Sequence, residues 1–292
     1  MTVIDKLIIE VRVNEYLMRD KNHHIPWTAE EISSDAKACR EAGASIVHFH
    51  ARNLDGSASH DPLEYANAVR LIKQHTDLLI HPTLGFVTVA GDTERIAPLK
   101  SLMADSATRP HFAPVDMGSM NIDTFDRSTS TFLSDNKVYV NSINTLKYFC
   151  SEIDQGGLKP ALIVWSVPCM RTVDAFMQLG IIKSPAFVTF VLSETYIGAH
   201  PASIDGLNAH LMFLPHDKNI VWTVISKGAS LLPAAKISIT RGGHVSIGLG
   251  DYAYPELGMP TNADLVREVV KIAKEAGRGI ATPQESKVIM GI

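Results

Sequence analysis

His48 and His50 stand one residue apart at the end of an apolar run, residues 45–50, with Arg52 two positions further on. In an extended strand successive side chains point to opposite faces, so His48, His50 and Arg52 share one face and Phe49 and Ala51 the other. Side chains two residues apart along a strand are separated by about 7 Å, a span across which two imidazoles can tilt onto one cation. Neutral imidazole suits zinc, nickel, iron or cobalt. Without an ion, the same pair reads as two hydrogen-bonded interior histidines.

Glu10, Arg12 and Asn14 repeat the period-two spacing in the first apolar run, residues 7–13. Placing a carboxylate, a guanidinium and an amide in an interior costs roughly several kcal/mol unless they pair or bind something. Either Glu10 and Arg12 form an internal ion pair, or Glu10 completes a His-His-carboxylate metal set and Arg12 is free to hold a substrate.

Three further run ends carry polar groups. In His81-Pro82-Thr83-Leu84-Gly85, Thr83 can hydrogen-bond a substrate oxygen and Gly85 permits a close approach. In Asp116-Met117-Gly118-Ser119-Met120-Asn121, turn amides and the Ser119 hydroxyl can hold a carboxylate, although the same residues are good turn formers. In Gly248-Leu249-Gly250-Asp251-Tyr252, Asp251 stands where a general base would stand. His23, His24 and His60 fall in loops and read as solvated. No Ser-His-Asp order, Walker loop or HExxH motif is present.

These residues need elements that bring them to one place. Thr28-Ala-Glu-Glu31 reads as a capping box for a helix reaching Ala42, with Gly43 ending it. Asp61 and Pro62 open a second helix. Beyond them, strands are expected near residues 78–84, 112–116, 161–166, 186–193, 220–225 and 244–249. Helices are expected between them near 93–104, 142–153, 172–179, 204–214 and 231–237, with a last one at 263–276. Eight strands alternating with helices require parallel strands and crossover connections. Runs such as AFVTFVLS are apolar throughout, as strands buried on both faces are. The expected fold is α/β, a (β/α)8 TIM barrel spanning residues 1–292 as one domain, with active-site residues at the C-terminal ends of the strands. An open doubly wound sheet would carry a glycine-rich turn after its first strand. Here Asn14-Glu15-Tyr16 follows, and no glycine precedes Gly43.

Composition sets outer limits. With 27 basic and 31 acidic residues, the net charge of −4 lacks the basic footprint of a nucleic-acid partner. Asp5, Lys6, Glu10 and Arg12 interrupt the N-terminal apolar stretch, against a signal peptide or a membrane span. Cys39, Cys150 and Cys169 form neither a disulfide framework nor a zinc ribbon, so a reducing cytoplasm is the expected home.

Several stretches together resemble the beta-keto acid cleavage enzyme family, across almost the whole chain. They are Ile25-Pro26-Trp27-Thr28 before Glu30-Glu31, residues 41–52 with Asp55-Gly56, and Gly118-Ser119-Met120-Asn121. Gly242-Gly243-His244-Val245, Gly248-Leu249 before Asp251, residues 273–278 and Ala281-Thr282-Pro283 complete the set. The resemblance implies a zinc-dependent (β/α)8 barrel, other divalent metals being open. Such an enzyme condenses a beta-keto acid with acetyl-CoA and cleaves the adduct to acetoacetate and a new CoA thioester. It implies His48 and His50 as metal ligands, Asp251 as the base, Thr83 as a substrate-holding hydroxyl and a homotetramer. Glu15 matches a family carboxylate after a shift of one residue, which implies a catalytic role.

The last-strand motif departs from the family. Where the family reads Arg-x-Gly-x-Glu-Asp-Asn, this chain reads Ser246-Ile247-Gly248-Leu249-Gly250-Asp251-Tyr252. Gly250 occupies the place of the third metal ligand and Ser246 that of the arginine beside the base. Strands six and seven end in Ser193-Glu194 and Ser226-Lys227 where glycines are usual. Glu10 is the expected replacement ligand, and Lys227 or Arg12 the expected replacement cation. Two rival readings follow from the departures: another metal-assisted barrel lyase or hydrolase, and a non-catalytic ligand-binding descendant.

Overall fold

The computed structural model describes residues 2–85 and 89–292. Its centre is a sheet of eight parallel strands. They are β1 (Ile9–Arg12), β2 (Ile46–Phe49), β3 (Leu79–Pro82), β4 (Phe112–Asp116), β5 (Lys159–Val164), β6 (Ala186–Ser193), β7 (Ile220–Lys227) and β8 (His244–Ile247). Hydrogen-bonded neighbours run β3-β2-β1-β8-β7-β6-β5-β4, each strand beside its sequence neighbour and β8 returning to β1. The β3–β4 seam is bridged through His111, whose N–H donates to Ile80 O (2.9 Å) and whose Nδ1 accepts from Ile80 N (3.0 Å). The (β/α)8 barrel read from the alternation is therefore the observed fold.

The outer layer holds α1 (Ala29–Ala42), α2 (Pro62–His75), α3 (Asp92–Met103), α4 (Ile143–Gln155), α5 (Val167–Gln178), α6 (Ile204–Met212), α7 (Leu232–Thr240) and α8 (Asn262–Glu275). The capping residues are those the sequence names. Thr28 accepts from Glu31 N while the Glu31 carboxylate takes the Thr28 N–H, and Asp61 caps α2 with Pro62 in its first turn. Every residue of β6 is buried, which explains its unbroken apolar run. Among the described residues no helix is long and apolar enough to cross a membrane.

Several boundaries differ from expectation by one to five residues. α5 starts at Val167, five residues earlier, because Pro168 fits a first turn. β7 continues to Lys227 and carries that cation to the barrel mouth. A ninth helix, α9 (Pro283–Met290), opens on a Thr282–Glu285 capping box. Its Ile289 and Met290 close the floor of the barrel against Ile8, Ile46, Leu79, Phe112 and Phe187. Between β4 and α4 the chain makes an excursion with two short ladders, Met120–Asn121 with Val138–Tyr139 and Phe125–Asp126 with Thr131–Phe132.

Candidate metal and catalytic centre

Arg12, His48 and His81 lie in register across β1, β2 and β3, so the period-two face of each strand meets inside the barrel. Asn14, just beyond β1, fixes the next step. Its Oδ1 accepts His50 N–H (2.8 Å), and its Nδ2 donates to His50 O (3.1 Å) and Pro26 O (2.8 Å). The backbone of His50 is thereby held after the ladder has ended. The two rings converge: His48 Nε2 and His50 Nε2 are 3.2 Å apart.

Glu15 is the carboxylate that joins them. Its Oε1 lies 3.7 Å from His48 Nε2 and 3.9 Å from His50 Nε2. Two ligands at tetrahedral positions about 2.0–2.1 Å from zinc are separated by about 3.3 Å. The histidine pair has that spacing, and Glu15 needs to move by only a few tenths of an ångström. Burial holds both imidazoles well below the ordinary histidine range, and the nearby Arg12 cation adds to it, so both rings are neutral. Neutral nitrogen donors with one carboxylate are the chemistry a zinc ion takes. The three side chains fit the metal that the resemblance implies.

Glu10, the expected third ligand, groups with His48 and His81 rather than with the His48–His50 pair. It sits one layer deeper, where Oε1 meets His81 Nδ1 at 2.6 Å and Oε2 accepts from Ser246 Oγ at 2.5 Å. Burial opposes its ionisation, but His81, Arg12 and Ser246 outweigh burial and hold the carboxyl below the ordinary range. With His48 and His81 it forms a second group whose ligand atoms lie within 4.8 Å of one another and could hold a metal ion. The parity of Glu10 was readable. Its direction was not, because Ser246 is small enough to admit the carboxylate beneath it.

Asp251 stands at the mouth in a balanced cluster of four charges. Arg12 Nε donates to Asp251 Oδ2 (2.7 Å) and Lys227 Nζ to Asp251 Oδ1 (2.6 Å). The same two cations also reach Glu15, one at each carboxylate oxygen. Burial works against ionisation of Asp251, yet Arg12 and Lys227 prevail and keep its carboxyl below the usual carboxylate range. Arg12 and Lys227, the two cations named as candidates for this place, both pair directly with Asp251. Removing one member of such a buried set costs about 3–5 kcal/mol, because an unpaired charge remains.

Thr83 lines a cavity together with Arg12, Glu15, His48, His50 and Lys227, whose wall also holds Asp116, Trp165 and Tyr196; Asp251 lies behind Arg12 and Lys227 and is not among the described lining residues. Asp116 is locked by Trp165 Nε1 (2.6 Å) and Tyr139 OH (2.9 Å). Ser119 does not reach this wall. It is exposed, and its hydroxyl accepts the N–H of Asn141 (2.7 Å), pinning the excursion after β4. Residue reasoning gave His81 no role; the signal that could have found it is its registration with His48. Arg52, on the histidine face, donates Nε to Glu15 O (2.8 Å) and Nη1 to Leu17 O (2.8 Å), so it holds the Glu15 backbone in place.

The family model described as beta-keto acid cleavage enzyme matches residues 6–292 of the chain. The 3-keto-5-aminohexanoate cleavage enzyme of Acetoanaerobium sticklandii is 30% identical over 293 residues, covering 99% of each chain. The 3-oxoadipate:acetyl-CoA acetyltransferase of Cupriavidus necator is 26% identical, covering 98% of this chain and 94% of the other. Among solved structures, apo ObcA superposes with a TM-score of 0.72 at 14% identity. That match covers 92% of this chain and 65% of the longer ObcA chain, and it bears on the fold alone.

Proposed function

The chain belongs to the beta-keto acid cleavage enzyme family, and from that premise we propose that it condenses a beta-keto acid with acetyl-CoA and releases acetoacetate and a new CoA thioester. The observation that carries the metal-dependent form of this reading is the 3.2 Å approach of His48 Nε2 to His50 Nε2 with Glu15 beside both. The names of the two relatives, one a keto-acid cleavage enzyme and one an acetyl-CoA acetyltransferase, support the substrate pair. A zinc or other divalent ion held by His48, His50 and Glu15 supplies Lewis-acid polarisation of the keto acid's oxygens.

In this reading Asp251 takes a proton from the carbon between the ketone and the carboxylate. Both cations keep Asp251 ionised and ready, but they also weaken it as a base, so the substrate proton must be acidified. The carbanion forms a bond to the acetyl carbonyl carbon, and CoA thiolate leaves. The thiolate adds to the original ketone, the carbon–carbon bond beside it breaks, and the proton held by Asp251 goes to the departing acetoacetate carbon. Thr83, on the cavity wall, donates to a substrate oxygen in this reading. Arg12 acts first on Asp251 and Glu15, and its place on the cavity wall leaves it within reach of the substrate carboxylate. We further propose a reducing cytoplasm as the setting, which the three free cysteines favour, and a homotetramer, which family resemblance favours.

The test is a screen of beta-keto acids with acetyl-CoA on metal-replete protein, read by mass spectrometry. Acetoacetate formed only when both substrates are present supports the proposal. Keto-acid breakdown without CoA would replace it with a lyase or hydrolase. No turnover, together with substoichiometric metal after mild purification, would replace it with a ligand-binding protein.

A further inference from the structure

A second cavity opens at the opposite end of the barrel, where β4, β5 and β6 begin, with a volume of about 830 Å3. Small-molecule sites commonly have volumes of about 300–1,000 Å3. Its walls carry Lys73 from α2, Arg109 and His111 before β4, Lys159 at the start of β5, Lys183 before β6 and Lys287 from α9. Asp154 is the one acidic side chain among its described lining residues, and it is already paired with Lys183 at 2.5 Å.

Among the described residues the remaining cations form no ion pair, although Asp105 attracts Lys73 from further off. Lys73 Nζ donates to the carbonyl of Ser106 (3.0 Å), and Arg109 donates through Nε (3.1 Å) and Nη2 (2.9 Å) to the carbonyl of Met103. Those contacts orient the charges without cancelling them. Lys159 and Lys287, both half-buried, have no ion pair or side-chain hydrogen bond among the described residues. Their field is felt locally. Burial, with Lys287 and Lys73 adding to it, brings His111 down to about 4. A cleft lined by one sign of charge concentrates counter-ions, and ammonium groups bind anionic oxygens most strongly where they are partly desolvated.

We propose that this cavity is a binding site for a small polyanion, a compound carrying several phosphate or carboxylate oxygens, separate from the catalytic mouth. Such a ligand ties Lys287 on α9 to Lys73 on α2 and Lys159 on β5. Because α9 closes the barrel floor, occupancy stabilises the fold by mass action.

The experiment compares the full chain with the Lys159→Gln/Lys287→Gln double variant, neither residue belonging to the mouth. Inorganic phosphate, pyrophosphate and citrate are titrated at constant ionic strength against a chloride control. Binding is read by calorimetry and stability by thermal unfolding. Chelation or anion binding at the mouth acts alike on both proteins, so the difference between them reports on this cavity. The expected result is saturable binding that raises Tm in the unmodified chain and weakens at least tenfold in the double variant. A larger response to pyrophosphate assigns a phosphate ligand, and a larger response to citrate a polycarboxylate. A Lys159→Arg variant, which keeps the charge, retains binding. Absence of saturable binding by all three anions, or equal binding by the two proteins, overturns the proposal.

Discussion

Gly250 lies against the backbone of Glu15: a β-carbon added at Gly250 would sit 2.9 Å from Glu15 N and 2.6 Å from the Asn14 carbonyl carbon. Side chains cannot occupy that space without moving the backbone after β1. The bare backbone of Gly250 lets the Asn14–Glu15 segment pass close beside it, and from there Glu15 reaches the histidine pair.

Gly250→Ala is therefore expected to push the Asn14–Glu15 segment outward. Overpacking of this kind costs about 1–3 kcal/mol, and Glu15 leaves the histidine pair. Zinc affinity and Tm should fall together. A variant with both quantities unchanged would show that the close packing does not position Glu15.

His48→Ala and His50→Ala should each abolish metal retention through gel filtration, and Glu15→Gln should weaken zinc binding at least tenfold. Glu10→Gln is the contrast. It disturbs His81 and Ser246 rather than the pair of rings, so Tm should drop while zinc stays near one per chain. Metal loss in Glu10→Gln with retention in Glu15→Gln would return the ligand role to Glu10.

Lys227→Met removes one of two cations from Asp251. The folded pKa of Asp251 is depressed, so its stabilising contribution is present above the unfolded value and is lost as pH falls through the folded one. Without Lys227 that loss begins at higher pH. The acid limb of kcat/KM, set by ionised Asp251, should rise by roughly one to three pH units. An acid limb left where it was would exclude Asp251 as the titrating base.

His111 governs a separate pH response at the β3–β4 seam. Its folded pKa of about 4 lies below the ordinary value near 6.5, so folding favours the neutral ring that accepts Ile80 N–H. The contribution is complete above about 6.5 and is lost as pH falls towards 4, on the order of 3 kcal/mol. His244, brought to about 3 by burial and Arg278, accepts Ile8 N–H and titrates in the same direction. His111→Gln should have a lower Tm at pH 7 and a shallower fall between pH 6.5 and 4. An unchanged slope would show that His111 does not bridge the seam.

Local rules made much of this molecule legible from its residues. Strand–helix alternation led to the barrel, a capping box placed α1, an Asp61 cap followed by Pro62 placed α2, and period-two parity put His48 and His50 on one face. Each rests on neighbours a few residues apart, whose geometry the backbone dictates. Tertiary structure decided the rest. Glu15 lies beyond the end of β1, where strand parity no longer applies, and its position depends on Gly250 some 235 residues away. Lys227 reaches Asp251 and Glu15 only because β7 runs two residues further than its apolar pattern, and Ser119 turns to Asn141 because the excursion after β4 needs that hydrogen bond. Such contacts join strands that meet only when the barrel forms, so composition and spacing name the candidate groups while packing selects among them.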